Sequence, residues 1–385
     1  MRRRMRAMAA IAATIIGAGL AGTLAGPARA ALIQPAAVTR PAATAYNAAT
    51  TYTTAGALNG VAASTASNAW AVGYTGANGG STGYILMLHW NGSAWTRLST
   101  PHVLTGQGEL TAITVVNAKD AWAVGSTGDY AHQHTLILHW NGTAWSALTS
   151  PVVANASLSA VWASTKQVWA AGYYTTGPAV IQTFPLSLDE SGTRWTRYNS
   201  TGASGLTFDG VTTTTKGVAL ATGLFTGQIT GFVARWNGHA WAWTSSFPEF
   251  GTYHWLNGIA AGADGTAFAA GINTSGSGGA TSIEWNGRAW VKAPMPSWAG
   301  PYAIAFAPGG AGFSVGTVYS GGAYHELIMR WNGHQWGKVP SPSTAAQLNG
   351  LGFATAKSGW AVGQQNTAAG TTTTVIVHWN GSTWG

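Results

Sequence analysis

Residues Leu58–Gly73 read "LNGVAASTASNAWAVG", and residues Leu88–Pro101 read "LHWNGSAWTRLSTP". This pair of segments, with a variable stretch between them, recurs seven times between Leu58 and Gly385 at intervals of about 45 to 52 residues. The Trp of "AWAVG" falls at Trp70, Trp122, Trp169 and Trp360, and gives way to Leu220, Phe268 and Phe313 in the other copies. Three residues later every copy has a glycine: Gly73, Gly125, Gly172, Gly223, Gly271, Gly316 and Gly363. "WNG" starts at Trp90, Trp140, Trp236, Trp285, Trp331 and Trp379, while the third copy reads Glu190-Ser191-Gly192. Five residues after each of these starts stands a second Trp: Trp95, Trp145, Trp195, Trp241, Trp290, Trp336 and Trp384.

A repeat of this length, made of short β-prone runs and tight turns, marks a propeller with one blade per copy. In the first copy strand A is "LNGVAAS", B "AWAVGYT", C "YILMLHW" and D "AWTRLST". Strand C has no clean polar face, as expected where a sheet is covered on both sides. Asn-Gly supplies the positive φ that a tight C–D turn needs. The expected fold is all-β: a seven-bladed β-propeller of four-stranded antiparallel blades, preceded by a signal peptide. Blades are expected near 57–101, 109–151, 157–199, 205–248, 255–294, 301–342 and 347–385. Because the last copy stops at Trp384-Gly385, the β-prone segment 46–54, "YNAATTYTT", is expected to pair as the outermost strand of the seventh blade. An open edge there would be a liability.

The first 30 residues read as an export signal: basic "MRRRMR", an apolar run from Ala7 to Gly26, and Ala28-Arg29-Ala30 as the cleavage site. A retained membrane anchor is the alternative. Residues 31–45 are an expected flexible lead-in. Five arginines leave with the signal, so thirteen basic residues face ten acidic ones over residues 31–385, a charge of +3. That balance gives no basis for a nucleic-acid or membrane partner. The expected product is secreted, extracellular and monomeric. It contains no cysteine, which excludes disulfides, thiol chemistry and cysteine-ligated metal.

The unit "GV…A…AWAVG…IL.HWNG..W" resembles the blades of the bacterial neuraminidase-repeat and photosystem-II-assembly-factor type. Gly92 and Trp95 keep the Gly-x-x-Trp spacing of the Asp-box hairpin, with other residues at its Asp and Ser positions. A more distant likeness is to kelch-type galactose oxidase, whose Tyr–Cys crosslink a chain without cysteine cannot form. The resemblance covers nearly all of 57–385 and implies blade architecture. Such blades serve sialidases, lectins, receptors and assembly factors alike, so it leaves activity open.

Two-carboxylate hydrolysis needs a facing pair of acids, and the ten acids of this chain are scattered. Asp120 and Asp264 lie in A–B turns, and Asp189 and Glu190 replace His-Trp at a C–D turn. Arg235 and Arg330 occupy the position ahead of "WNG" and so belong to the repeat, not to an arginine cluster of the sialidase kind. His89, His139 and His378 are also repeat residues. Asp129, His132 and His134 in "GDYAHQH" could offer a metal three ligands, but a solvated loop is the favoured reading. No catalytic residue, metal or cofactor is expected.

Ligands of this fold are expected at the face carrying the D–A and B–C loops, where the copies differ. Near the start of strand A stands a mostly polar position: Asn59, Thr111, Ser159, Asp209, Asn257, Tyr302 and Asn349, an expected ring at the channel mouth. The D–A connections after blades four and five carry aromatics outside the repeat: Phe247, Phe250, Tyr253, His254, Trp255 and Trp298. Aromatic faces beside neutral polar groups can hold a sugar without charge. The expected function is non-catalytic recognition of carbohydrate or a protein partner through Tyr253, His254, Trp255, Trp298 and the polar ring. A sialidase-like or other glycan-active hydrolase or lyase, and a purely structural propeller, stand as alternatives.

Overall fold

The structure is a computed structural model. It describes residues 52–76, 83–99, 106–129, 132–150, 155–175, 183–190, 195–198, 205–225, 230–245, 254–273, 279–321, 323–342, 346–367 and 371–385. All of them belong to the compact unit Ala48–Gly385. The expected signal and lead-in, and residues 46–51 of the expected closing segment, lie outside the described residues.

The described residues form antiparallel sheets in the order A-B-C-D, each strand paired with its neighbour in sequence. Inner strands Gly56–Thr65, Gly108–Asn117, Ala156–Ala163, Leu206–Thr213, Gly258–Ala261, Gly300–Phe306 and Ala346–Thr355 open the successive sheets. Each inner strand packs on the next, and Ala346–Thr355 packs back on Gly56–Thr65. The expectation of seven four-stranded blades is corrected: six of the sheets have four strands, and the last, blade seven, has three among the described residues. There Trp384 makes only a bridge to Trp379, and Gly385 and His378 exchange backbone hydrogen bonds at 2.9 and 2.8 Å. Further along the same edge Ala55 bridges Thr373, and the Thr374 amide donates to the Thr54 carbonyl at 2.9 Å. The Thr374 hydroxyl donates to the Tyr52 carbonyl at 2.9 Å. Two short segments, from opposite ends of the described chain, thus occupy the place of one outer strand.

The repeated tryptophans make the seams between blades. Trp90 pairs with Trp95 across the C–D hairpin, ring centroids 5.8 Å apart, and the Trp of "AWAVG" from the preceding blade packs against such pairs. Trp360 lies 6.1 and 6.0 Å from Trp90 and Trp95. Trp169 lies 5.4 and 5.2 Å from Trp236 and Trp241. Phe268 and Phe313 fill the same place where Trp is replaced, against Trp331 and Trp336 and against Trp379 and Trp384. Most of these rings are buried. They are packing, not sugar platforms.

The C–D turn also differs from a two-residue hairpin. Trp90 faces Trp95, leaving a four-residue loop in which only the glycine takes a positive φ: 97° at Gly92 and 92° to 98° at its five equivalents. The asparagine acts through its side chain: Asn91 Oδ1 accepts the amides of Ser93 and Ala94, both at 3.0 Å. Asn141, Asn237, Asn286, Asn332 and Asn380 do the same. This side-chain turn satisfies two amides that the hairpin leaves over.

Candidate functional site at the loop face

The polar position of strand A is a β-bulge. Register skips Asn59, Thr111, Ser159, Asp209, Tyr302 and Asn349, each lying between residues that do pair with strand B. An extra residue in one strand bends it and re-aims its side chain. The close approach of the two strands explains the glycine found in every copy. A Cβ on Gly73, Gly125, Gly172, Gly223, Gly316 or Gly363 would collide with a strand-A carbonyl oxygen, and one on Gly271 with the Trp255 carbonyl just ahead of strand A.

The re-aimed side chains reach the next blade. Asn59 Nδ2 donates to the Leu110 carbonyl at 2.8 Å, and the Thr111 hydroxyl to the Leu158 carbonyl at 2.6 Å. Asn257 Nδ2 donates to the Pro301 carbonyl at 3.2 Å, and Asn349 Nδ2 to the Leu58 carbonyl at 3.0 Å. Each acceptor directly precedes the equivalent residue of the following blade. The bond from Asn349 to Leu58 joins the last sheet to the first. Four residues expected at a binding mouth therefore act as clasps between blades. Asp209 accepts from the Thr207 hydroxyl at 3.4 Å, and Ser159 is buried. Burial, then the charge of Tyr324, push the phenol of Tyr302 up to about 12.

The expected aromatic anchors divide. Phe247, Phe250 and Tyr253 lie outside the described residues. His254 is buried, and its backbone bridges Thr230 of blade four and Asn273 of blade five. Trp255 is half-buried, its amide donating to the Ile272 carbonyl at 2.7 Å. Trp298 is 49% exposed, with Lys338 Nζ 6.0 Å from its ring centre.

Four exposed aromatics, Tyr84, Trp243, Tyr319 and Tyr324, were not among the expected residues. Tyr319 and Tyr324 face each other across the B–C hairpin of blade six, 64% and 43% exposed, ring centroids 5.0 Å apart and planes 60° apart. Tyr84, at the start of strand C in blade one, is 54% exposed. The signal for the pair was present in "VYSGGAY", a tyrosine on each side of a Ser-Gly-Gly turn, but tyrosine at a strand end also reads as plain β-propensity.

The titratable side chains of the repeat are held by local contacts. Among the described residues, no group of three or more His, Cys, Asp or Glu side chains could hold a metal. Asp129 Oδ1 caps its own loop, accepting the His132 amide at 2.9 Å with His132 Nδ1 at 3.0 Å. His89, His139 and His378 lie against Trp70, Trp122 and Trp360. Their Nε2 atoms sit 2.7, 3.0 and 3.4 Å from Asn68, Asp120 and Ser358. Burial pushes the imidazoles of His89 and His378 below 6.5. Arg235 and Arg330 lie over Trp285 and Phe313. Glu284, at the same repeat position in blade five, is pushed up by burial and then by Asp264. The Thr266 hydroxyl in turn holds Asp264 down, with a smaller contribution from Lys216.

Fold and site together define the class: a β-propeller of four-stranded antiparallel blades with exposed aromatics on its loop face. No family model matches the chain, and no curated protein matches it. Solved structures do. YCF48 bound to a D1 peptide is similar with a TM-score of 0.50 at 13% identity, over 83% of this chain and 93% of that one. A prolyl endopeptidase is similar with a TM-score of 0.52 at 11% identity, over 85% of this chain but 47% of that one. Puromycin hydrolase, an S511A mutant complexed with PGG, gives 0.50 at 12% identity, over 84% and 52%. At these identities the likeness is one of fold.

Proposed function

We propose that the chain is an exported, non-catalytic binding module that recognises a carbohydrate or a protein partner through its D–A and B–C loop face. One observation carries this reading. Of six large apolar side chains exposed among the described residues, four, Tyr84, Trp298, Tyr319 and Tyr324, stand at B–C or D–A connections. The repeat aromatics are mostly packed between blades instead. Exposed aromatic rings with small neutral neighbours suit a ligand held by stacking and hydrogen bonds. The fold accommodates such a role: the YCF48 structure holds a peptide. Export rests on the N-terminal sequence pattern.

The test is equilibrium binding of the protein to a panel of soluble glycans, insoluble polysaccharides and peptides, with release of product scored in the same wells. Saturable binding without product is expected. Product release would replace the reading with the glycan-active enzyme alternative, and absence of any binding would leave a structural propeller.

A further inference from the structure

The geometry points to a specific subsite for a neutral pyranose in the seam between blades six and seven, with Tyr319 and Tyr324 as its walls. The inference rests on the binding-module reading above and gives it a place and a ligand class. Val315 and Ile328 face each other across strands B and C of blade six and pack with Leu348, Ala361 and Val377 of the last sheet. Alternation along the same two strands puts the pairs Thr317–Glu326 and Tyr319–Tyr324 on that same face. The seam is therefore closed by apolar packing at depth. Above it comes a polar layer, with Thr317 and Glu326 buried, and the exposed tyrosine pair stands at the top.

The last sheet supplies the opposite wall. Ala361 faces blade six, so Gly363 and the half-buried Gln365 follow on that face. The Gln347 carbonyl fills the space beside Gly363, and Gln365 offers a carboxamide toward the upper seam. Tyr302 belongs to the same neighbourhood through its electrostatic coupling to Tyr324, and its burial keeps the phenol protonated well beyond neutral pH.

The arrangement selects a ligand by shape and polarity. Two rings at 60° with centroids 5.0 Å apart form an L, not a flat wall. A ring laid on one tyrosine face meets the edge of the other. The phenol hydroxyls and the Gln365 carboxamide are neutral donors and acceptors at the rim, suited to sugar hydroxyls. The connecting residues Ser320, Gly321 and Ala323 are small and uncharged. They leave room for a six-membered ring and give no cation to hold an anionic one. A pyranose with apolar C–H faces and equatorial hydroxyls matches these features, and a peptide is the competing outcome.

The experiment compares the unaltered protein with Tyr319→Ala, Tyr324→Ala, the double Phe variant and Val291→Ala, an outer-strand control. Each is titrated against neutral oligosaccharides of glucose, mannose, galactose and xylose and against a peptide library, with melting temperatures measured in parallel. The expected result is sugar binding that each Ala variant weakens at least about tenfold, as loss of a stacked ring would. The double Phe variant should retain part of it and Val291→Ala all of it. Sugar binding unchanged in both Ala variants would overturn the subsite while leaving the binding module standing. Binding to peptides alone would overturn the ligand class, and no binding to either would overturn both. Because both tyrosines are exposed and melting is monitored, loss of fold cannot stand in for loss of contact.

Discussion

Gly271 shows how one atom governs a blade. Its missing Cβ leaves space for the Trp255 carbonyl, and the same space exists at the other six positions. Alanine there must displace backbone, so Gly271→Ala is expected to cost about 1–3 kcal/mol or more, read as a lower urea midpoint. Asn349→Ala removes the bond that joins last blade to first and strips the Leu58 carbonyl of that donor. The expected loss is about 1–3 kcal/mol, against little change for Ser93→Ala in an exposed turn, both measured by thermal unfolding. The histidines titrate in a definite direction. Burial lowers the imidazoles of His89 and His378, so around 6.5 the folded chain binds fewer protons than the unfolded one. Their contribution is complete above 6.5 and is lost as pH falls below it through the folded values. A urea midpoint that declines on acidification, and declines less in a His89→Gln/His378→Gln variant, is the expected result.

At the scale of strands and turns, much was legible and some was not. The recurring "WNG" and "AWAVG" announced hairpins and strands because turn residues and β-formers repeat at fixed spacing. The Asn-Gly turn was right in place, but the asparagine works as a side-chain cap and not through its own φ. The polar position of strand A was legible as a pattern and misleading as a site. A bulge shifts the phase of alternation, but a strand covered on both faces has little alternation to shift, so nothing in the sequence said that Asn59 would turn toward Leu110. Tyr319 and Tyr324 escaped for the opposite reason: they fit a strand too well. The shared outer edge of the last sheet yields its own prediction. Replacing Tyr52–Ala55 with glycine and serine should speed hydrogen exchange in Thr372–Trp379 while sparing Tyr84–Trp90. Equal exchange in both would show that the segment does not hold the edge.

Across the whole molecule two ends of the ring have different duties. The end with the C–D turns is repetitive, its asparagines and tryptophans committed to turn and seam. The other end varies from blade to blade and exposes Tyr84, Trp298, Tyr319 and Tyr324. The sequence announced the architecture because seven copies repeat the same structural demand. It was nearly silent on the ligand, because a binding surface is written once, in the residues by which copies differ. The most direct test of the proposed role is a hydrogen-exchange footprint of the protein with whatever the binding panel returns. Protection at Trp298 and through the hairpin from Tyr319 to Tyr324, with the six Asn-Gly turns unchanged, is the predicted result. Protection at those turns, with the hairpin of blade six unaffected, would contradict it.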